Sequence, residues 1–179
     1  GRRGIRMKLF PENPILVYRP FYLNPRNYIY LADRGRFYGD VRLYDDQGTG
    51  IHFYTNREDT IADQEMTVEL TRINLQQFKK VIPYLPDISG WLGGSAHYVD
   101  SKGQMMLSAD VRVDEFVYEK SPMGNWEMSG VYLPGDNNDH HVDGYVMHNV
   151  HEDTELTGIY TSDDWGREDI TGELELSHF

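Results

Sequence analysis

The densest group of ligating side chains is Asp136-Asn137-Asn138-Asp139-His140-His141-Val142-Asp143, with His148 and His151 downstream. Oxygen and imidazole donors at this density are the raw material for Ca²⁺ or Zn²⁺ coordination. Position argues against both. A calcium loop opening at Asp136 needs a closing Glu where the chain has Met147, and no His-Glu-x-x-His pair occurs. The expectation is a solvated hairpin turn after Pro134-Gly135 and no bound metal. With no cysteine in the sequence, disulfides, thiolate metal sites and cysteine nucleophiles drop out together. Gly-x-Ser-x-Gly elbows, Walker loops and dinucleotide fingerprints are missing as well, so nucleophilic and phosphate-cradling templates have nothing to attach to. Twenty-nine acids make some carboxylate pair inevitable, which leaves a glycosidase pair uninformative. The chain is therefore expected not to be an enzyme and to carry no cofactor. Trp91, Trp126 and Trp165, with 13 tyrosines, offer rings that could stack on sugars, and a carbohydrate-binding β-sandwich is the alternative they suggest. A purely structural spacer is the other. Aromatics of this kind more often fill cores or cap sheet ends.

The elements that would position these side chains are strands. Between residues 37 and 44, Phe37, Gly39, Val41 and Leu43 alternate with positions that include Asp40 and Arg42. Met66, Val68 and Leu70 oppose Thr67, Glu69 and Thr71; from 105 to 114, Met105, Leu107, Ala109, Val111 and Val113 interleave with Met106, Ser108, Asp110, Arg112 and Asp114. A period of two puts each apolar set on one face of an extended strand. One helix is expected from Leu75 to Ile82, with Leu75, Phe78 and Ile82 on one side, an Asn74/Gln77 capping-box-like start and a stop at Pro83. Pro86, Gly90, Gly93 and Gly94 then read as a turn feeding a strand at about 92–99. The first 35 residues, with four prolines, suggest only short edge strands near 15–18 and 28–31.

From residue 128 a phrase recurs: Met128-Ser129-Gly130-Val131-Tyr132, Val142-Asp143-Gly144-Tyr145-Val146, Leu156-Thr157-Gly158-Ile159-Tyr160 and Ile170-Thr171-Gly172-Glu173-Leu174. Its glycines stand 14 residues apart, which fits one strand plus a turn and is too short for a helix-pair repeat. Residues two before and two after each glycine share its face: Met128, Tyr132, Val142, Val146, Leu156, Tyr160, Ile170 and Leu174. A glycine at each centre eases bending or close approach, whether in a curled sheet or in an ordinary sandwich core. The fold expected is all-β, a curled antiparallel meander of about nine main strands forming a half-pipe with an apolar inside, plus one short helix; a closed β-sandwich is the alternative. Open edges are expected at residues 37 and 170.

Charge narrows the partners. Seventeen Lys and Arg against 29 acids give −12, which disfavours nucleic acid because phosphates would be repelled. Residues 1–42 hold nine basic and three acidic residues, a net of +6, leaving −18 for the remainder. No run nears the roughly 18 apolar residues of a membrane-spanning helix. The opening Gly1-Arg2-Arg3 suggests a processed or excised piece, with any signal or anchor outside it.

The stretch Ile73-Asn74-Leu75-Gln76-Gln77-Phe78, then Ile82-Pro83-Tyr84-Leu85-Pro86-Asp87-Ile88-Ser89-Gly90-Trp91-Leu92-Gly93-Gly94, resembles the helix and Gly-x-Leu-x-Gly turn of the TamB/AsmA-like translocation and assembly module family of Gram-negative envelopes. The apolar-Ser/Thr-Gly-x-apolar rungs resemble it too. The likeness covers about residues 66–179, with 1–65 adding less regular strands, so residues 1–179 are expected to be a single segment of a longer protein. It implies an inner-membrane-anchored protein crossing the periplasm as a curled sheet. Its apolar groove would carry phospholipid acyl chains or client outer-membrane protein strands, working with an outer-membrane barrel partner and with neighbouring segments of the parent chain. The lining carried over is the apolar set of the four rungs together with Val41, Leu43, Met66, Val68, Leu70, Leu107, Val111 and Val113. A groove of equivalent seats, each methylene gaining roughly 0.8 kcal/mol on leaving water, would let a chain slide at nearly constant energy.

Overall fold

The computed structural model describes residues 4–10, 14–16, 19–32, 35–55, 63–134, 139–148, 152–162 and 168–176. Seven short strands come first: β1 (Gly4–Met7), β2 (Ile15–Leu16), β3 (Arg19–Pro20), β4 (Tyr22–Leu23), β5 (Tyr28–Ala32), β6 (Phe37–Tyr44) and β7 (Gly50–Tyr54). Long ones follow: β8 (Gln64–Asn74), β9 (Ile88–Ser101), β10 (Gln104–Tyr118), β11 (Ser121–Pro134), β12 (Asp139–His148), β13 (Glu152–Ser162) and β14 (Glu168–Leu176). They form one antiparallel sheet in the order β1-β5-β6-β7-β8-β9-β10-β11-β12-β13-β14, with β4 also beside β6, while β2 and β3 make a separate ribbon. The two ends of the path do not pair with each other, so this is the open, curled meander expected, neither barrel nor sandwich.

A single layer has a measurable consequence. A compact monomer of 20.8 kDa exposes roughly 8,900 Å², but this chain exposes 13111 Å². Among the described residues the buried apolar side chains are Phe21, Leu75 and Val113, and none is fully buried. The sheet is held by its ladders more than by a core.

Bulges supply the bend. Register shifts interrupt β8 between Leu70 and Ile73 and β10 between Asp114 and Val117, and Arg72 and Glu115 lie there at φ of 49° and 53°. Between them β9 carries Gly90 and Gly94, at φ of 133° and 144°. A Cβ on Gly94 would meet the Asp110 carbonyl and the Val111 Cα of β10, so only glycine allows that approach. This corrects the expected turn at 90–94: these glycines lie inside β9, which begins at Ile88.

Other expectations also shift. The helix is a six-residue 3₁₀ segment, Leu75–Lys80, capped as expected by Asn74, whose side chain accepts the Gln76 N–H at 3.0 Å. Leu75 is buried, with Phe78 and Ile82 exposed, because among the described residues no second layer receives the rest of the stripe. β5 and β6 are interior, so neither 28–31 nor residue 37 is an edge, whereas β14 is one as expected. Of 15–18, the described part is β2, outside the main sheet. β1, β4 and β7 come without a sequence-based expectation.

Candidate functional site

Pairing partners across an antiparallel sheet share a face, so register tells which side chains are gathered. Leu43 lies opposite Ile51, and Ile51 opposite Leu70; Val41 lies opposite Phe53, and Phe53 opposite Val68. Through β9, Met66 meets Tyr98, Val68 meets Ala96 and Leu70 meets Gly94. Those three β9 residues face Leu107, Ala109 and Val111 on β10, and Val113 faces Leu92. Leu107 then pairs with Tyr132, Ala109 with Gly130, Val111 with Met128 and Val113 with Trp126.

The repeat strands extend the same face. Met128 pairs with Val146, Gly130 with Gly144 and Tyr132 with Val142. Val142 pairs with Gly158 and Gly144 with Leu156. Leu156 pairs with Leu174, Gly158 with Gly172 and Tyr160 with Ile170. All sixteen expected lining positions therefore stand on one face.

That face is open. Among its described side chains Leu107 and Met128 are exposed, Val113 is buried, and Val41, Leu43, Met66, Val68, Leu70, Val111, Tyr132 and Val146 are half-buried. Phe37 and Phe53 sit with ring centroids 5.3 Å apart, and Phe116 meets Trp126 edge-to-face at 6.3 Å, closing the face at the β10–β11 end.

Register also shows a relief the sequence reading does not. Ala96, Ala109, Gly130 and Gly144 are consecutive cross-strand partners, a row of the smallest side chains running across β9–β12. Larger apolar rows flank it: Tyr98, Leu107, Tyr132 and Val142 on one side, and Val111, Met128 and Val146 on the other. At a strand spacing of about 4.8 Å this furrow spans roughly 14 Å. Between β12 and β13 it steps sideways by two residues, since Val142, not Gly144, faces Gly158. The equal spacing of 14 hides this offset, which the hairpin register sets.

Additional lining missed from sequence includes Ile51 and Phe53, whose alternation with His52 and Tyr54 was the available signal. Ile5, Met7, Ile29 and Leu31 join the face through β1 and β5.

The opposite face is mixed, with Val131 and Leu133 exposed on it among polar side chains that pair across strands. His52 Nε2 lies 3.1 Å from Asp40 Oδ1 and its Nδ1 lies 3.5 Å from Glu69 Oε2. The Tyr54 hydroxyl donates to Glu69 at 2.9 Å, and that hydrogen bond holds the phenol above its ordinary pKa, making it harder to ionise. His97 lies 2.8 Å from Glu65, and Ser129 donates to Asp110 at 2.5 Å. These are cross-strand locks. Among the described residues no three His, Asp or Glu side chains are grouped to hold a metal. The side chains of the Asp136–Asp143 cluster, with His148 and His151, lie outside the described residues.

The two described tryptophans lie on opposite faces of the sheet. Trp126 is on the apolar face, its Nε1 donating to the Met123 carbonyl at 2.9 Å. Trp91 is on the other face, with the Arg72 guanidinium 4.9 Å from its ring, and Trp165 lies outside the described residues. A cleft of about 410 Å³ beside Lys8, Phe10, Phe21, Tyr22 and Tyr44 is lined by Asn27, whose amide is already committed to Leu9 and Asn24. Among the described residues no helix is long and apolar enough to cross a membrane. Compared with protein-family models, with curated proteins and with solved structures, the chain has no match.

Proposed function

We propose that this chain is a non-catalytic segment of a TamB-like, inner-membrane-anchored protein of the Gram-negative periplasm, whose open apolar face seats phospholipid acyl chains on their way to the outer membrane. The observation that carries this reading is that the apolar positions share one face over the eleven-strand path, with no covering layer among the described residues. A face of this extent exposed to water is costly at about 25 cal/mol per Å², and monomeric proteins rarely leave one unless something binds there. The furrow from Ala96 to Gly144 gives a methylene chain a seat crossing the strands, parallel to the path along which the sheet extends. Its walls contain no ion pair that would hold a headgroup, which suits movement over capture. Edge strands of client outer-membrane proteins, assembled with a barrel partner, are a second cargo the same apolar surface accepts.

The test uses two pairs of exposed side chains. Leu107 and Met128 are 41% and 37% exposed on the apolar face, while Leu133 and Val131 are 44% and 36% exposed on the other. Because all four are similarly accessible, aspartate is expected to cost each pair a similar amount of stability, which melting curves check. After gentle purification, native mass spectrometry and lipid extraction are expected to find phospholipid on the parent chain and on Val131→Asp/Leu133→Asp, but not on Leu107→Asp/Met128→Asp. A lipid-free parent chain, or equal loss from both variants with unchanged melting curves, would sink the reading.

A further inference from the structure

We infer that the opposite face of the short strands, β1 and β4–β7, docks an extended acidic peptide segment that seats one bulky apolar side chain in the cleft at the corner of that face. The register puts Tyr22, Tyr28, Tyr30, Tyr38, Tyr44 and Tyr54 there with Arg6, Arg42, His52 and Asp40. No lysine, glutamate, serine or threonine stands on that face within the described residues of these strands. The same face of β8–β11 has an ordinary solvated mixture that includes Glu65, Thr67, Ser95, Asp110, Glu127 and Ser129. Tyrosine and arginine without lysine or glutamate is the composition of recognition surfaces, because a phenol ring gives a large contact area at little entropic cost.

Electrostatics selects the partner. The Arg6 guanidinium lies over the Tyr28 ring at 4.9 Å, and that of Arg42 over the Tyr44 ring at 5.6 Å. Both arginines are exposed, and among the described residues neither is in an ion pair. A guanidinium held against a ring keeps N–H groups for a carboxylate, which it can bind with two parallel hydrogen bonds. The nearest acids are already committed, Asp40 to His52 at 3.1 Å and Asn24 at 3.0 Å, and Glu69 to the Tyr54 hydroxyl at 2.9 Å. The charge left for a partner is therefore positive. By register Arg42 lies two strands over and four residues along from Arg6, roughly 16 Å at ordinary strand spacing, a span that about five residues of extended chain cover. A long polyanion such as nucleic acid would also meet the rest of a chain whose net charge is −12, whereas a peptide with a few carboxylates meets the arginines.

The cleft supplies an anchor. Tyr22 and Tyr44 belong to this face and also line the cleft of about 410 Å³, together with Lys8, Phe10 and Phe21. Phe10 is 77% exposed, an apolar ring left in water beside an aromatic-walled recess, and the Lys8 ammonium stands 4.9 Å from it. A pocket that takes one large side chain is where the binding energy of an interface concentrates. The face points away from the apolar one, so this docking does not depend on what the apolar face carries.

Fluorescence anisotropy tests it with four fluorescein-labelled probes on the parent chain: a ten-residue peptide alternating glutamate and alanine with one tryptophan, the same peptide with glutamine for glutamate, the same with alanine for tryptophan, and oligothymidine. The first is expected to bind and to release as salt rises, and the other three to bind about fivefold more weakly or less. Arg6→Gln/Arg42→Gln should lower affinity for the first peptide about tenfold, and Phe10→Ala about fivefold. Arg112→Gln, the same change on the same face among the long strands, should leave it unchanged. The probe comparison uses the parent chain alone and so does not hinge on how the variants fold. A parent chain that binds none of the peptides overturns the proposal, as does a glutamine or alanine peptide that binds as well as the first, or an Arg6→Gln/Arg42→Gln variant that matches the parent. Oligothymidine bound more tightly than the first peptide overturns it too and assigns the face to single-stranded nucleic acid.

Discussion

Strands β1–β7 are two to eight residues long and are tied together by buried side chains, whereas β8–β14 run nine to fifteen residues and rest on backbone ladders. In the first region Asn27 is buried, accepting from the Leu9 N–H at 2.8 Å and donating to the Leu9 and Asn24 carbonyls at 3.2 and 2.8 Å. Thr55 is buried and exchanges hydrogen bonds with both backbone groups of Gly39. Gln64, the first residue of β8, does the same for Phe37, whose N–H it accepts at 2.8 Å. The difference teaches where backbone polarity goes when strands are short. A side-chain amide or hydroxyl substitutes for the missing neighbour strand, because an unpaired backbone group away from water costs a hydrogen bond. Long strands need no such help, and their side chains are left for the two faces.

The comparison is most exposed at Gly94. Gly94→Val puts a branched Cβ against the β10 backbone at a φ that side chains rarely adopt, and is expected to cost about 3 kcal/mol. Amide exchange should then accelerate across β8–β11 and leave β5–β7 protected; protection unchanged in β9 and β10 would mean the long ladders tolerate the intrusion. Asn27→Ala is the matching change in the short-strand region. Removal of three hydrogen bonds from a buried site is expected to cost about 2 kcal/mol in a denaturant titration. Exchange should quicken in β1, β4 and β5 only, and a spread into β9–β11 would show that the two regions unfold as one.

The smallest effect sits at their boundary. Lys79 Nζ donates to Asp87 at 2.9 Å, and that bond, with the ammonium's charge, holds the Asp87 carboxyl below its ordinary value of 3.8. A depressed carboxyl pKa stabilises the fold above the unfolded value, and the contribution is lost as pH falls through the folded one. Asp87→Asn should therefore lower the melting temperature slightly at neutrality and match the parent chain in acid, which flattens the acid limb of the profile below about pH 4. An identical acid limb in the variant would remove the 79–87 pair from the account of how the helix segment is held.

Legibility followed strand length. The eight-residue alternation at 37–44 gives β6 with its bounds, and Met66, Val68 and Leu70 and the run from Met105 to Val113 lie in β8 and β10. Four residues of β1 and two of β4 hold too few alternations to stand out, and their placement depends on partners far along the chain, Tyr28–Ala32 and Tyr44. Gly90 and Gly94 misled because glycine marks turns and bulges alike. Only the register with β8 and β10 separates the two.

The candidate site divides the same way. Residue order alone assigned Leu107, Met128 and Leu156 to one side of their strands, because side chains alternate whatever the strand pairs with. It also set the charge of each end, basic before residue 8 and acidic after 168. Only the tertiary structure decided that those sides coincide across eleven strands, that the row from Ala96 to Gly144 lines up while Gly144 and Gly158 do not, and that no second layer among the described residues covers them. The physical reason is that alternation is a property of one backbone, whereas register and layering arise from hydrogen bonds between residues the sequence keeps apart.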